Sequence, residues 1–79
     1  MVHKWGFRNI FKSDGGNACY TLYKRSDGML EAVYHYASFA HAGVCDMTDY
    51  SQTVLARSWN ELRRKLAQKH PTGWSWVTE

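Results

Sequence analysis

The sequence predicts an α+β domain: an antiparallel sheet of four to five strands with one helix, from the C-terminal half, packed on one face. Three observations carry that reading. Two turn signatures divide the chain between Lys4 and Tyr36 into three alternating runs, Ser58-Trp59-Asn60-Glu61 opens a helix, and Pro71 with Gly73 closes it before a short tryptophan-bearing run. No repeat, low-complexity stretch or linker interrupts the chain, so residues 1–79 read as a single small domain.

The first run, Lys4 to Lys12, sets Trp5, Phe7 and Phe11 at odd positions and Lys4, Arg8 and Lys12 at even ones, the period of two that a half-buried strand requires. The next two runs, Ala18 to Arg25 and Met29 to Tyr36, flank Ser26-Asp27-Gly28. With Asp27-Gly28 as a two-residue hairpin loop, Lys24 faces Glu31, Tyr23 faces Ala32 and Thr21 faces Tyr34, giving an opposite-charge cross-strand pair. A five-residue first turn, Ser13 to Asn17, sets Phe11 opposite Cys19 and Phe7 opposite Tyr23. The expected core face is then Trp5, Phe7, Phe11, Cys19, Thr21, Tyr23, Leu30, Ala32, Tyr34 and Tyr36. Lys4, Arg8, Ile10, Lys12, Tyr20, Leu22, Lys24, Glu31, Val33 and His35 form the second face, basic but with enough apolar surface to be either a binding face or partly covered.

From Ala37 to Gly43 the small residues allow either a longer third strand or a connecting loop. Tyr50 to Arg57, rich in β-branched residues, fits a fourth strand, followed by a helix from about Trp59 to Lys69 in which Ser58 caps, Glu61 reaches back, and Trp59, Leu62 and Leu66 share a face. A rival parse starts the helix ten residues earlier, because Met47, Tyr50, Val54, Leu55, Leu62 and Leu66 also approximate a helical stripe. Trp74 and Trp76 alternate onto one face of a short closing strand, where they roof the core beside Trp59 or lie at an edge.

A chain of 79 residues buries roughly 60% of its unfolded surface, so the twelve aromatic residues matter to its stability, as a monomer or small homo-oligomer. Values of 44% hydrophobic and 22% charged residues are those of a globular domain. The start of the chain offers no apolar run of signal-peptide length, and none approaches a membrane span, which predicts a cytoplasmic protein with no membrane contact and with free thiols at Cys19 and Cys45.

No residue set in the sequence points to an enzyme or to a cofactor. Asp14-Gly15-Gly16-Asn17 lacks the lysine and hydroxyl residue of a phosphate loop, and Asp46 with Asp49 reads as turn chemistry. Cys19, His35, His41 and Cys45 carry the right atoms for zinc, but only His41-x3-Cys45 approaches knuckle spacing, and the expected register turns Cys19 and His35 to opposite faces. A His41, Cys45 and Asp46 nucleophilic set has nothing to position it. Binding is what remains. The helix ridge of Arg57, Arg63, Arg64, Lys65 and Lys69 and the second sheet face, with Lys12, Lys24 and Tyr20, are two candidate surfaces, either of them fit for an acidic patch on a partner protein complex or, weakly, for nucleic acid. A net charge of +3 limits the number of simultaneous phosphate contacts.

The chain resembles the very small single-domain accessory proteins of phages and mobile elements, anti-CRISPR proteins among them, in its size, its hairpins marked by Ser13-Asp14-Gly15-Gly16-Asn17 and Ser26-Asp27-Gly28, and its single late helix, Ser58 to Lys69. The likeness covers layout and carries over no residue. It implies a non-enzymatic inhibitor or adaptor that occupies a surface on a larger host or defence complex. Many such inhibitors are acidic mimics of DNA, whereas a basic one would cover an acidic protein patch.

Overall fold

The computed structural model describes residues 4–37 and 47–77, with every side chain in them except that of Phe7. The expected core position of Phe7 and the alternatives for residues 38–43 lie outside that description. Strands β1 (Lys4–Ser13), β2 (Ala18–Arg25), β3 (Leu30–Tyr36) and β4 (Met47–Ala56) are followed by helix α1 (Trp59–Lys69) and strand β5 (Trp74–Trp76). They form one five-stranded antiparallel sheet in the order β4-β3-β2-β1-β5. β4 and β5 are therefore opposite edges, and α1 leads the chain from one to the other over a single face. The α+β class and the late helix are as the sequence predicts.

The β2–β3 hairpin departs from the expected register by one residue, and the cause is local. Its loop has three residues, not two: the Arg25 amide donates to the Met29 carbonyl at 2.9 Å, the Gly28 amide donates to the Arg25 carbonyl at 3.1 Å, and Gly28 sits at φ 86. A left-handed glycine closing a type I turn adds one residue to the loop, and Asp27 Oδ1 accepts the Met29 amide to fix it. Lys24 then faces Leu30, Tyr23 faces Glu31 and Thr21 faces Val33. With a side-chain period of two, that slip turns every residue of β2 over. Tyr20 and Leu22 join Leu30, Ala32 and Tyr34 on the core side, while Cys19, Thr21 and Tyr23 move to the other. The gain is a contiguous apolar surface beneath α1.

Bulges in β1 prevent its charges from sharing a face. Register shifts fall between Trp5 and Arg8, where Gly6 takes φ 83, and between Asn9 and Phe11, so that Ile10 and Phe11 both reach the core. Lys4 faces Arg25 and Lys12 faces Cys19 on one side; Arg8 faces Leu22 and Trp5 faces Lys24 on the other. The first turn is also tighter than expected. Ser13 Oγ accepts the amides of Asn17 and Ala18 at 3.1 and 3.0 Å, leaving 14–17 as the turn.

The rival helix parse fails at β4. Asp49 accepts from the amide and hydroxyl of Ser51 in a local turn, and the strand bulges, so that Ala32 pairs with Val54 but Tyr34 with Asp49. Helix α1 starts where its cap predicts: Ser58 Oγ accepts the Glu61 amide at 3.2 Å, although Glu61 reaches back to the Arg57 amide rather than to the cap residue. Leu62 and Leu66 are fully buried and meet Ile10, Phe11, Tyr20, Ala32 and Ala56. Trp74 and Trp76 do both things expected of them, since they form edge strand β5 and also roof the core: Phe11 lies 5.1 Å from Trp74 and 4.2 Å from Trp76 between ring centroids.

The opposite sheet face is closed by polar pairing. Thr21 and His35 Nε2 are 2.9 Å apart, and Thr48 engages His35 Nδ1 at the same distance. Glu31 is buried and holds Lys4 at 2.6 Å and Arg25 at 3.2 Å, replacing the expected Lys24–Glu31 pair.

Candidate functional site

The helix places its cations on three different sides because consecutive residues advance by 100° or so around the axis. With Leu62 and Leu66 inward, Glu61, Lys65 and Lys69 flank them towards β4, Trp59 and Arg63 flank them towards β5, and Asn60, Arg64 and Gln68 point away from the sheet. The single ridge expected from sequence is thus divided. Lys65 donates to the Leu55 carbonyl at 2.8 Å and pairs with Glu61 at 3.2 Å; Lys69 donates to the Gln52 carbonyl at 3.3 Å and lies 5.9 Å from the Tyr20 ring. Their ammonium groups are engaged on the edge strand. The Arg57 amide and the Lys65 ammonium hold the Glu61 carboxyl below the usual carboxylate range. Arg57 and Arg64 stay exposed.

On the other flank the side chains enclose a cleft. Arg8, Asn9 and Ile10 of β1, Trp59 and Arg63 of α1, and Trp76 and Val77 at the end of β5 line a space of about 180 Å³. The local geometry follows from three features. Trp59 and Arg63 are four apart on the helix; Pro71 and Gly73, the latter at φ 78, reverse the chain so that β5 returns beside β1; and the Val77 amide donates to the Ile10 carbonyl at 2.9 Å, holding the end of that strand. Trp59 meets Trp76 edge to face with centroids 6.0 Å apart, and the Arg63 guanidinium lies 4.7 Å from the Trp76 centroid. A cation over an indole face is held in place without losing its charge. The cleft therefore offers an apolar floor, aromatic walls and a cationic rim, a combination that suits an anionic group attached to an apolar one.

The remaining candidates are separated from this cleft. Tyr20 is 0% exposed, its hydroxyl lies 2.8 Å from His70 Nε2, and burial together with Tyr34 raises its phenol well above the usual value of 10.0. It stacks within the core and offers no ring for a base, a correction that follows from the one-residue register slip. Lys12 and Lys24 are exposed on opposite faces of the sheet. No shared basic face of Lys12, Lys24 and Tyr20 exists.

The thiol and histidine set also changes. Cys19 and His35 are register partners and share a face, contrary to expectation; His41, Cys45 and Asp46 lie outside the described residues. Cys19 is buried with its Sγ 4.0 Å from Asn9 Oδ1, and both His35 ring nitrogens face threonine hydroxyls. Among the described residues no group of three His, Cys, Asp or Glu side chains is placed to hold a metal ion, and no helix is long and apolar enough to cross a membrane.

The sequence alone points to Arg63 but sets Trp59 on the core face of the helix, leaves Trp76 either over the core or at an edge, and assigns Arg8 to a sheet stripe. The Trp59-x3-Arg63 spacing is a usable signal for one wall. The other wall depends on where the chain returns after Gly73. No protein-family model, curated protein or solved structure matches this chain significantly.

Proposed function

We propose that the chain is a non-enzymatic binding protein, a small inhibitor or adaptor of the phage type, that occupies an acidic surface of a larger protein complex in the cytoplasm. The observation that carries this reading is the position of the unengaged arginines. Arg57, Arg63 and Arg64 have no ion-pair partner among the described residues, whereas Lys4, Arg25 and Lys65 are each neutralised by a carboxylate of the same chain. An arginine left unpaired beside two tryptophans matches the composition of protein-binding hot spots, in which Trp, Tyr and Arg dominate. The net charge of +3 favours an acidic partner by steering the encounter.

A second reading shares part of the chemistry. Trp59 and Trp76 beside Arg63 could stack a base and hold its phosphate, so the chain would bind single-stranded nucleic acid weakly, with a dissociation constant of roughly 10⁻⁴ to 10⁻⁶ M at physiological salt. Copurification from the native host with and without nuclease separates the two. A protein complex that survives nuclease and is lost on Arg57→Glu with Arg64→Glu supports the binding protein; recovery that disappears with nuclease rejects it.

A further inference from the structure

We infer that the cleft between Trp59, Arg63 and Trp76 accepts a single C-terminal residue of a partner, whose main-chain carboxylate is joined to an apolar side chain of about phenyl size. The inference rests on the protein-binding reading above and narrows it to one contact. Size comes first. A space of about 180 Å³ is close to the roughly 150 Å³ cavity that holds benzene and well short of the roughly 300–1,000 Å³ typical of small-molecule sites. The space matches the size of one residue rather than of an extended ligand.

Polarity then divides the cleft into two ends. Ile10, Val77 and the two indoles supply apolar surface, while Arg63 sets a guanidinium at the rim and Arg8 also lines the space. Arg63 is held over Trp76 and pairs with no carboxylate of the chain among the described residues, so its charge faces whatever enters. A guanidinium holds a carboxylate through two parallel N–H···O bonds, which fixes orientation as well as affinity. The apolar half alone would accept many groups; the fixed charge at one end selects among them.

The test uses the whole chain and two probes that differ by one charge, N-acetyl-phenylalanine with a free carboxylate and its neutral amide, followed through the indole N–H signals of Trp59 and Trp76. Ligands of this size reach millimolar affinity at best, and the carboxylate is expected to bind about tenfold more tightly than the amide. Arg63→Gln should remove that difference while leaving the fold intact, since the side chain is exposed. Equal binding of the two probes, or shifts centred on Trp5 instead of Trp59 and Trp76, overturns the inference. Tighter binding of uridine monophosphate than of the carboxylate also overturns it and makes the cleft a nucleotide subsite. If neither probe moves the indoles but a nuclease-resistant partner is still lost on reversing Arg57 and Arg64, the anchor is wrong and the binding-protein reading stands. Carboxylate selectivity together with nuclease-sensitive copurification upholds the preference of the cleft and rejects the binding-protein reading instead.

Discussion

The two faces of the sheet solve the problem of burial by different chemistry. Beneath α1, Phe11, Tyr20, Tyr34, Trp74 and Trp76 touch ring to ring around Leu62 and Leu66, so closure there comes mainly from apolar area, with His70 as a titrating ring at its border. On the opposite face Thr21, Glu31 and His35 are closed by hydrogen bonds and ion pairs, which stabilise only while each partner is present and correctly charged. The apolar face fails when a side chain is shortened and titrates where His70 packs at its border, whereas the polar face depends throughout on pairing and charge.

The sharpest way to break this contrast is to shorten a side chain on the apolar face. Leu62→Ala or Leu66→Ala, at fully buried positions, should cost about 2–5 kcal/mol in chemical denaturation. A loss below about 1 kcal/mol at both would mean that α1 does not carry the core. On the polar face Glu31→Ala leaves Lys4 and Arg25 facing each other across a partly buried site, at about 1–3 kcal/mol after allowing for the solvent that reaches both cations. Glu31→Gln keeps the volume but loses the charge, so it should cost nearly as much as Glu31→Ala; a Gln variant close to wild type in stability would show that packing, not pairing, closes this face.

Titration sharpens the comparison further. Burial lowers the His35 pKa from 6.5, and burial followed by nearby Lys69 lowers that of His70. Each histidine binds protons less readily folded than unfolded, so its stabilising contribution is present above pH 6.5 and is lost as pH falls through that value, levelling off below the folded pKa. Thermal midpoints should therefore decline between about pH 7 and 5. Substituting His35 by Gln should flatten the decline, and a profile unchanged in both His35→Gln and His70→Gln would refute its assignment to these rings. The smallest effect is expected away from both faces: Arg57→Glu with Arg64→Glu should shift stability by no more than about 0.5 kcal/mol, although the proposed partner complex should disappear.

What the sequence reveals of this architecture is what depends on neighbours along the chain. The cap at Ser58, the stop at Pro71 and Gly73, and the alternation of β3 are all set within a few residues, and all appear in the structure. The face of β2 is not legible, because it depends on whether Ser26-Asp27-Gly28 closes with two residues or three, and Asp-Gly serves both turns. The β1 bulges are hidden for a related reason, since Gly6 and Ile10 show their effect only against a partner strand. Of the candidate site, the arginines can be found by spacing. Their division into engaged and unengaged groups requires the position of β4 relative to α1.

The lysine contacts on β4 have a consequence for how the molecule meets its own kind. An edge strand ordinarily presents a row of open carbonyls that can template a strand from another molecule. Here the Leu55 and Gln52 carbonyls already receive Lys65 and Lys69, and the strand between Asp49 and Val54 is kinked out of the flat geometry an added strand would need. At the far side, the three residues of β5 cover Phe11, Lys12 and Ser13 of β1, and the earlier part of β1 is bent by its two register shifts. A β4 edge blunted in this way is a poor template for an added strand, so the helix that covers the core also guards that border of the sheet.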